Sequence, residues 1–231
     1  QSTLLHKACK SGNLEMARTL LDVDVNQEIA PLHRAVINGS VEILKEFLCK
    51  APSSFNITTQ GTIETVFHLA AKYQKTKAFI FMAQSANIGQ LLYSLDAEDN
   101  TVLHVADEEQ STLLHKASKS GNLEMARTLL DVDVNQEIAE KVDKDGLTPL
   151  HRAVINGSVE ILKEFLCKAP SSFNITTQGT IETVFHLAAK YQKTKAFIFM
   201  AQSANIGQLL YSLDAEDNTV LHVAASVDST S

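Results

Sequence analysis

Histidine sets the period of this chain. Its eight histidines, His6, His33, His68, His104, His115, His151, His186 and His222, each follow a short apolar run and stand two residues before an alanine. From His115 to His151, to His186 and to His222 the steps are 36, 35 and 36 residues. A unit of that length cannot bury its own apolar face, so the chain must fold by stacking like units on one another.

A second, longer repetition lies over the first. Residues 1–30 match 110–139 with one difference, Cys9 against Ser118, and residues 31–106 match 149–224 without any. The stretch "EKVDKDGLT", 140–148, has no counterpart in the first copy, which shortens the step from His6 to His33 to 27 residues. Only 11 residues separate His104 from His115, too few for a whole unit. Each copy therefore reads as three repeats and the opening of a fourth. The expected organisation is one array at 1–106, a junction at 107–109 and a second array at 110–231.

The repeat around His151 is complete and can be read residue by residue. Asp145-Gly146 signals a two-residue type I′ turn. Thr148 can cap a helix and Pro149 suits its first position, which puts His151 in the first turn. "LHRAVIN" makes a short helix, Gly157 ends it and Ser158 can cap the next. In "VEILKEFLCKA" the residues Val159, Leu162, Phe165 and Leu166 share one helical face, and Pro170 closes the unit. Recurrence of the histidine at one point in every unit implies a structural role, bonding the threonine hydroxyl and backbone of its own turn. The third unit carries Gln74 and Gln192 where the others have glycine, so a less regular repeat with a longer loop around "FNITTQGTIE" is expected.

"GLTPLHRAVINGSVEILKEFL", 146–166, closely resembles the ankyrin-repeat consensus, and residues 2–21, 64–83 and 99–106 resemble it more weakly. The resemblance spans nearly the whole chain. It implies an all-α ankyrin-repeat solenoid of stacked helix-turn-helix units with short hairpin turns.

Composition narrows the function. The net charge is −7 and no run of five or six Lys and Arg occurs, which argues against nucleic acid. Apolar runs such as "AFIFMA", 78–83, are too short to span a bilayer, and the polar first residues do not read as a signal peptide. Three cysteines form no paired framework and suit a reducing compartment, so a cytoplasmic location is expected. Cys49 and Cys167 read as buried, inert thiols. "DVDVNQEIA", 22–30 and 131–139, starts like a calcium loop, but Gln27 or Gln136 replaces the glycine and His33 or Val142 the final glutamate. It reads as a solvated loop. Asn56 and Asn174 match the glycosylation pattern, a match that chance supplies easily. No metal or cofactor site and no catalytic set is expected, because all the histidines share one structural slot.

What remains is a non-catalytic module that binds a protein partner through its turn tips and first helices. At the tips of the second copy the candidates are Lys141, Asp143, Lys144, Asp145, Thr177, Gln178, Glu216 and Asp217. On its first helices they are Lys116, Lys119, Arg152, Asn156, Lys190 and Tyr191. The segments "KAPSSFN", "ETVFHLAAKYQK" and "AFIFMAQSANIGQLLYSLDAEDNTVLHVA" also resemble plant ankyrin proteins of the accelerated-cell-death type. That resemblance implies defence signalling and a C-terminal membrane region outside this sequence, on which the array could alternatively pack. The incomplete fourth repeats leave apolar surface, so contact with another copy, as a dimer or an exchanged element, is a further expectation.

Overall fold

The computed structural model describes residues 3–23, 30–59, 63–85, 89–95, 97, 101–103, 110–133, 136–203 and 206–228. His104, the first-copy loop 24–29 and the expected junction 107–109 lie outside them. The chain forms two compact units, Gln1–Val105 and Ala106–Ser231. The first unit carries α1 (Leu4–Ser11), α2 (Leu14–Val23), α3 (Ala30–Asn38), α4 (Val41–Lys50), α5 (Val66–Lys72) and α6 (Thr76–Ala83). The second carries α7 (Leu113–Ser120), α8 (Leu123–Val132), α9 (Glu137–Glu140), α10 (Pro149–Asn156), α11 (Val159–Lys168), α12 (Val184–Lys190), α13 (Thr194–Gln202) and α14 (Val220–Asp228). Among the described residues there is no strand beyond the isolated bridges Leu95–Thr101 and Leu213–Thr219.

In the second unit the first helices pack in the order α7, α10, α12, α14, and α8, α11, α13 form a second row behind them. In the first unit the rows are α1, α3, α5 and α2, α4, α6. Leu150, Ile161, Leu162, Phe165, Phe173 and Phe185 are completely buried between the rows. Phe185 meets Phe197 edge to face at 5.3 Å between ring centres. Truncating a side chain such as Phe165 to alanine would cost about 3–5 kcal/mol.

The third repeat is more regular than its sequence suggests. Gln192 takes the left-handed conformation at φ 54°, where Gly157 has φ 85°. Its turn closes with the same bond, Lys193 N–H to Ala188 O at 2.8 Å against Ser158 N–H to Ala153 O at 3.2 Å. The stacked helices impose the turn, and the glutamine adopts it at a cost. The expected long loop is instead a 3-10 turn, Pro170–Asn174, followed by a hairpin closed by Thr177 N–H to Glu182 O at 3.0 Å.

Three further expectations are corrected. The Asp145-Gly146 turn is not type I′: only Gly146 has positive φ, and the loop 143–147 closes through Asp143 N–H to Leu147 O at 2.9 Å. Asp133 is not solvated, because its buried carboxylate accepts the N–H groups of Ile138 and Ala139 and so starts α9. Cys49 and Cys167 are exposed, whereas Cys9 is fully buried and its thiol pKa is pushed up to about 12 by that burial.

Candidate protein-binding surface

The surface is held together by the histidines. In α10, Thr148 accepts the His151 N–H on its hydroxyl, and its own N–H donates to His151 Nδ1 at 3.1 Å. This is a capping box with imidazole in the place usually taken by a carboxylate. Because Nδ1 accepts, the ring proton sits on Nε2, which donates to Ile175 O of the following hairpin at 3.0 Å. The same clip runs from His115 to Leu147 O at 3.0 Å and from His186 to Asn218 O at 3.1 Å. A carboxylate could cap the helix but could not make this second bond. Burial keeps the imidazole neutral: the His151 pKa is pushed down from 6.5 to about 4, and those of His115 and His33 are lowered by the same cause. With both nitrogens committed, the rings of His115, His151 and His186 are structural and not general bases.

Each clip fixes a hairpin beside its neighbour. Gln178 N–H bonds to Gly146 O at 3.0 Å, and Ala215 N–H bonds to Thr180 O at 2.9 Å. The approach at Gly146 is tight enough that a Cβ there would lie 2.7 Å from the Gln178 Cβ. The tips therefore form one row, with Lys144, Asp145, Gln178, Glu216 and Asp217 exposed along it. Beside the row, a hollow of about 560 Å³ opens between α12 and α14, lined among others by Thr180, Glu182, Lys190, Asp214, Glu216 and Asn218.

Several expected contact residues turn out to build this surface from within. Asp143 is buried: its Oδ1 accepts the N–H groups of Asp145 and Leu147, and its Oδ2 pairs with Arg152 at 2.6 Å. Arg152 also holds Asp145 at 2.6 Å, and that bond keeps the Asp145 carboxyl below its usual pKa. Thr177 is buried, accepting the Glu182 N–H on its hydroxyl at 2.9 Å. The exposed Asn156 side chain ties α10 to α7 by donating to Lys119 O at 2.9 Å. Lys190 is paired with Glu182 at 2.8 Å, which raises its pKa. Lys116 and Lys141 are half-buried; Lys119 and Tyr191 are exposed.

Two features were missed in the sequence. Glu182, buried at the base of the third repeat's hairpin, takes the Thr180 hydroxyl at 2.9 Å as well as Lys190, and so braces its repeat as Asp143 and Arg152 brace theirs. The recurring order of acid at the hairpin and base eight or nine residues later was the available signal. Asp214 shapes the last tip by accepting the N–H groups of Asn218 and Glu216, both at 2.9 Å, which lower its pKa. On the second-row helices charges pair across repeats, Arg127 with Glu164 at 2.7 Å and Lys168 with Asp131, while Lys168 and Glu164 also pair one turn apart within α11.

Residues 1–60 and 106–178 match the family model for ankyrin repeats (3 copies). The chain belongs to the ankyrin-repeat family. The putative ankyrin repeat protein FPV223 of Fowlpox virus (strain NVSL) is 31% identical over 145 residues, covering 55% of this chain and all of the viral protein. Synphilin-1 of Mus musculus is 25% identical across 94% of this chain, and inversin of Canis lupus familiaris 26% across 78%. The chain spans only 20% and 16% of those two proteins. In fold, the chain is similar to the ankyrin repeat domain of Bcl-3, described as a unique member of the IkappaB protein family, at a TM-score of 0.59. That likeness carries 23% identity and covers 96% of this chain and 93% of the other. The ankyrin fold and family are typically those of interaction modules. Among the described residues no helix is long and apolar enough to cross a membrane, and no group of side chains is arranged to hold a metal ion.

Proposed function

We propose that the second unit binds a segment of another protein along its hairpin row and the adjoining first-helix surface. The observation that carries this reading is the alignment of the tips: backbone bonds between hairpins set Lys144, Asp145, Gln178, Glu216 and Asp217 in one rigid row beside a hollow. A preformed row spares the ordering cost that a flexible loop surface would incur on binding. Lys119 and Tyr191 extend the surface onto the helices, and both signs of charge along it favour a partner of mixed charge.

The segments that resemble plant accelerated-cell-death-type proteins, "ETVFHLAAKYQK" among them, support a finer reading. On it, the array works in the cytoplasm in defence signalling, within a longer protein attached to a membrane elsewhere.

Affinity capture tests the surface. Proteins retained by the native chain should be lost with Lys144→Glu combined with Gln178→Ala, and kept with Lys163→Glu on α11. Arg152 is unsuitable for reversal, since its pairing with the buried Asp143 holds the hairpin itself. Retention of the same proteins by the tip variant would overturn the proposal.

A further inference from the structure

The charges along the hairpin row of the second unit are sorted by sign. At hairpin 143–147 and the first helices beside it, Lys119, Lys141, Lys144 and Arg152 stand against Asp143 and Asp145. Arg152 holds both of those acids at 2.6 Å, and Lys144 and Lys119 also act on the Asp145 carboxyl. At hairpin 214–218 and α12 the balance is reversed, with Glu182, Asp214, Glu216 and Asp217 against Lys190. Lys190 is held by Glu182 at 2.8 Å, while Glu216 and Asp217 are exposed. Between the two ends the middle hairpin presents the uncharged Gln178 and Thr180. The backbone bonds from Gln178 N–H to Gly146 O and from Ala215 N–H to Thr180 O fix this order. The hollow of about 560 Å³ lies at the acidic end, where Val223 and Val227 of α14 line it together with Asp214 and Glu216. An apolar wall beside carboxylates suits lysine or arginine, whose methylene stem lies along apolar surface while its charged head meets polar groups.

Resting on the reading of this row as the binding surface, we propose that the partner segment is itself bipolar. Its acidic end lies at hairpin 143–147, and a lysine or arginine towards its other end enters the hollow between α12 and α14. The sorted charges set the direction of the segment, because the reverse direction brings like charges together at both ends. The first copy lacks residues 140–148, and with them Lys141 and Lys144, so this pairing of ends belongs to the second unit.

Fluorescence anisotropy at low ionic strength tests this on the whole chain. The probe is a synthetic peptide with a run of glutamates at one end and a run of arginines at the other, held apart by a proline-rich spacer. It should bind more tightly than a glutamate run or an arginine run of the same length. Lys144→Glu and Glu216→Lys, both at exposed positions, should each weaken its binding by roughly five- to tenfold. Lys163→Glu on α11 should leave it unchanged. Tighter binding of the arginine run than of the bipolar peptide would mark attraction to the net charge of −7 and overturn the proposal. So would a bipolar peptide that does not bind, or one indifferent to either reversal. If that happens while Lys144→Glu with Gln178→Ala still loses the captured proteins, the row stands as the binding surface and only its polarity falls.

Discussion

Acid should loosen this array through its histidines, and His151 lets the size of the effect be worked out. Its neutral ring accepts from Thr148 N–H and donates to Ile175 O, and its pKa is pushed down to about 4 against 6.5 for an ordinary histidine. Between those two values the unfolded chain holds a proton that the folded chain does not. Stability therefore rises with pH across that window, is fully present above 6.5 and is lost as pH falls toward 4. The gap is worth about 3 kcal/mol, a large part of the ~5–15 kcal/mol that holds a typical domain together. His115 and His33, also lowered by burial, act in the same direction. Urea unfolding followed by circular dichroism at pH 7 and pH 4.5, on the native chain and on His151→Gln, isolates the contribution. The variant is less stable at both values but should lose less on acidification, by about 2–3 kcal/mol. Equal pH dependence of the two proteins would refute the assignment of a buried, neutral clip.

Three other perturbations have definite expected outcomes. Among the described residues Ser118 Oγ is buried without a hydrogen-bond partner, while the matching Cys9 is buried as a thiol; Ser118→Cys should raise stability by about 1 kcal/mol, read as a higher urea midpoint. Gln192→Gly should gain about 0.5–1 kcal/mol by relieving the left-handed backbone, and a loss on thermal unfolding would contradict that strain. Of the three cysteines, Cys49 and Cys167 should react with a thiol reagent in the folded chain and Cys9 only on unfolding; a single rate for all three would contradict their placement.

The sequence was most legible where the physics is local. Thr148, Pro149 and Gly157 mark the bounds of α10 through caps that depend on a few neighbouring residues. The partner of His151 Nε2 lies 24 residues away at Ile175, and no local pattern names it. Polarity in a turn suggests exposure, yet Asp143 and Thr177 point inward because a tight hairpin has backbone N–H groups to satisfy. Cys167 lies two residues past the buried Phe165, about 200° around the helix, so its exposure was readable from phase. Gln192 shows the opposite limit, a residue whose own preference is overridden by the helices on either side of it.

A lysine-acetylation footprint of the chain with and without its captured partner bears most directly on the hairpin row as the binding surface. The peptide carrying Lys141 and Lys144 occurs once in the sequence, so its signal belongs to the second unit alone. Protection of Lys144 in the complex, with Lys45 and Lys163 on the second-row helices labelled as before, is the predicted result. Protection of Lys45 and Lys163 with Lys144 still reactive would place the partner on the other side of the array and contradict the account.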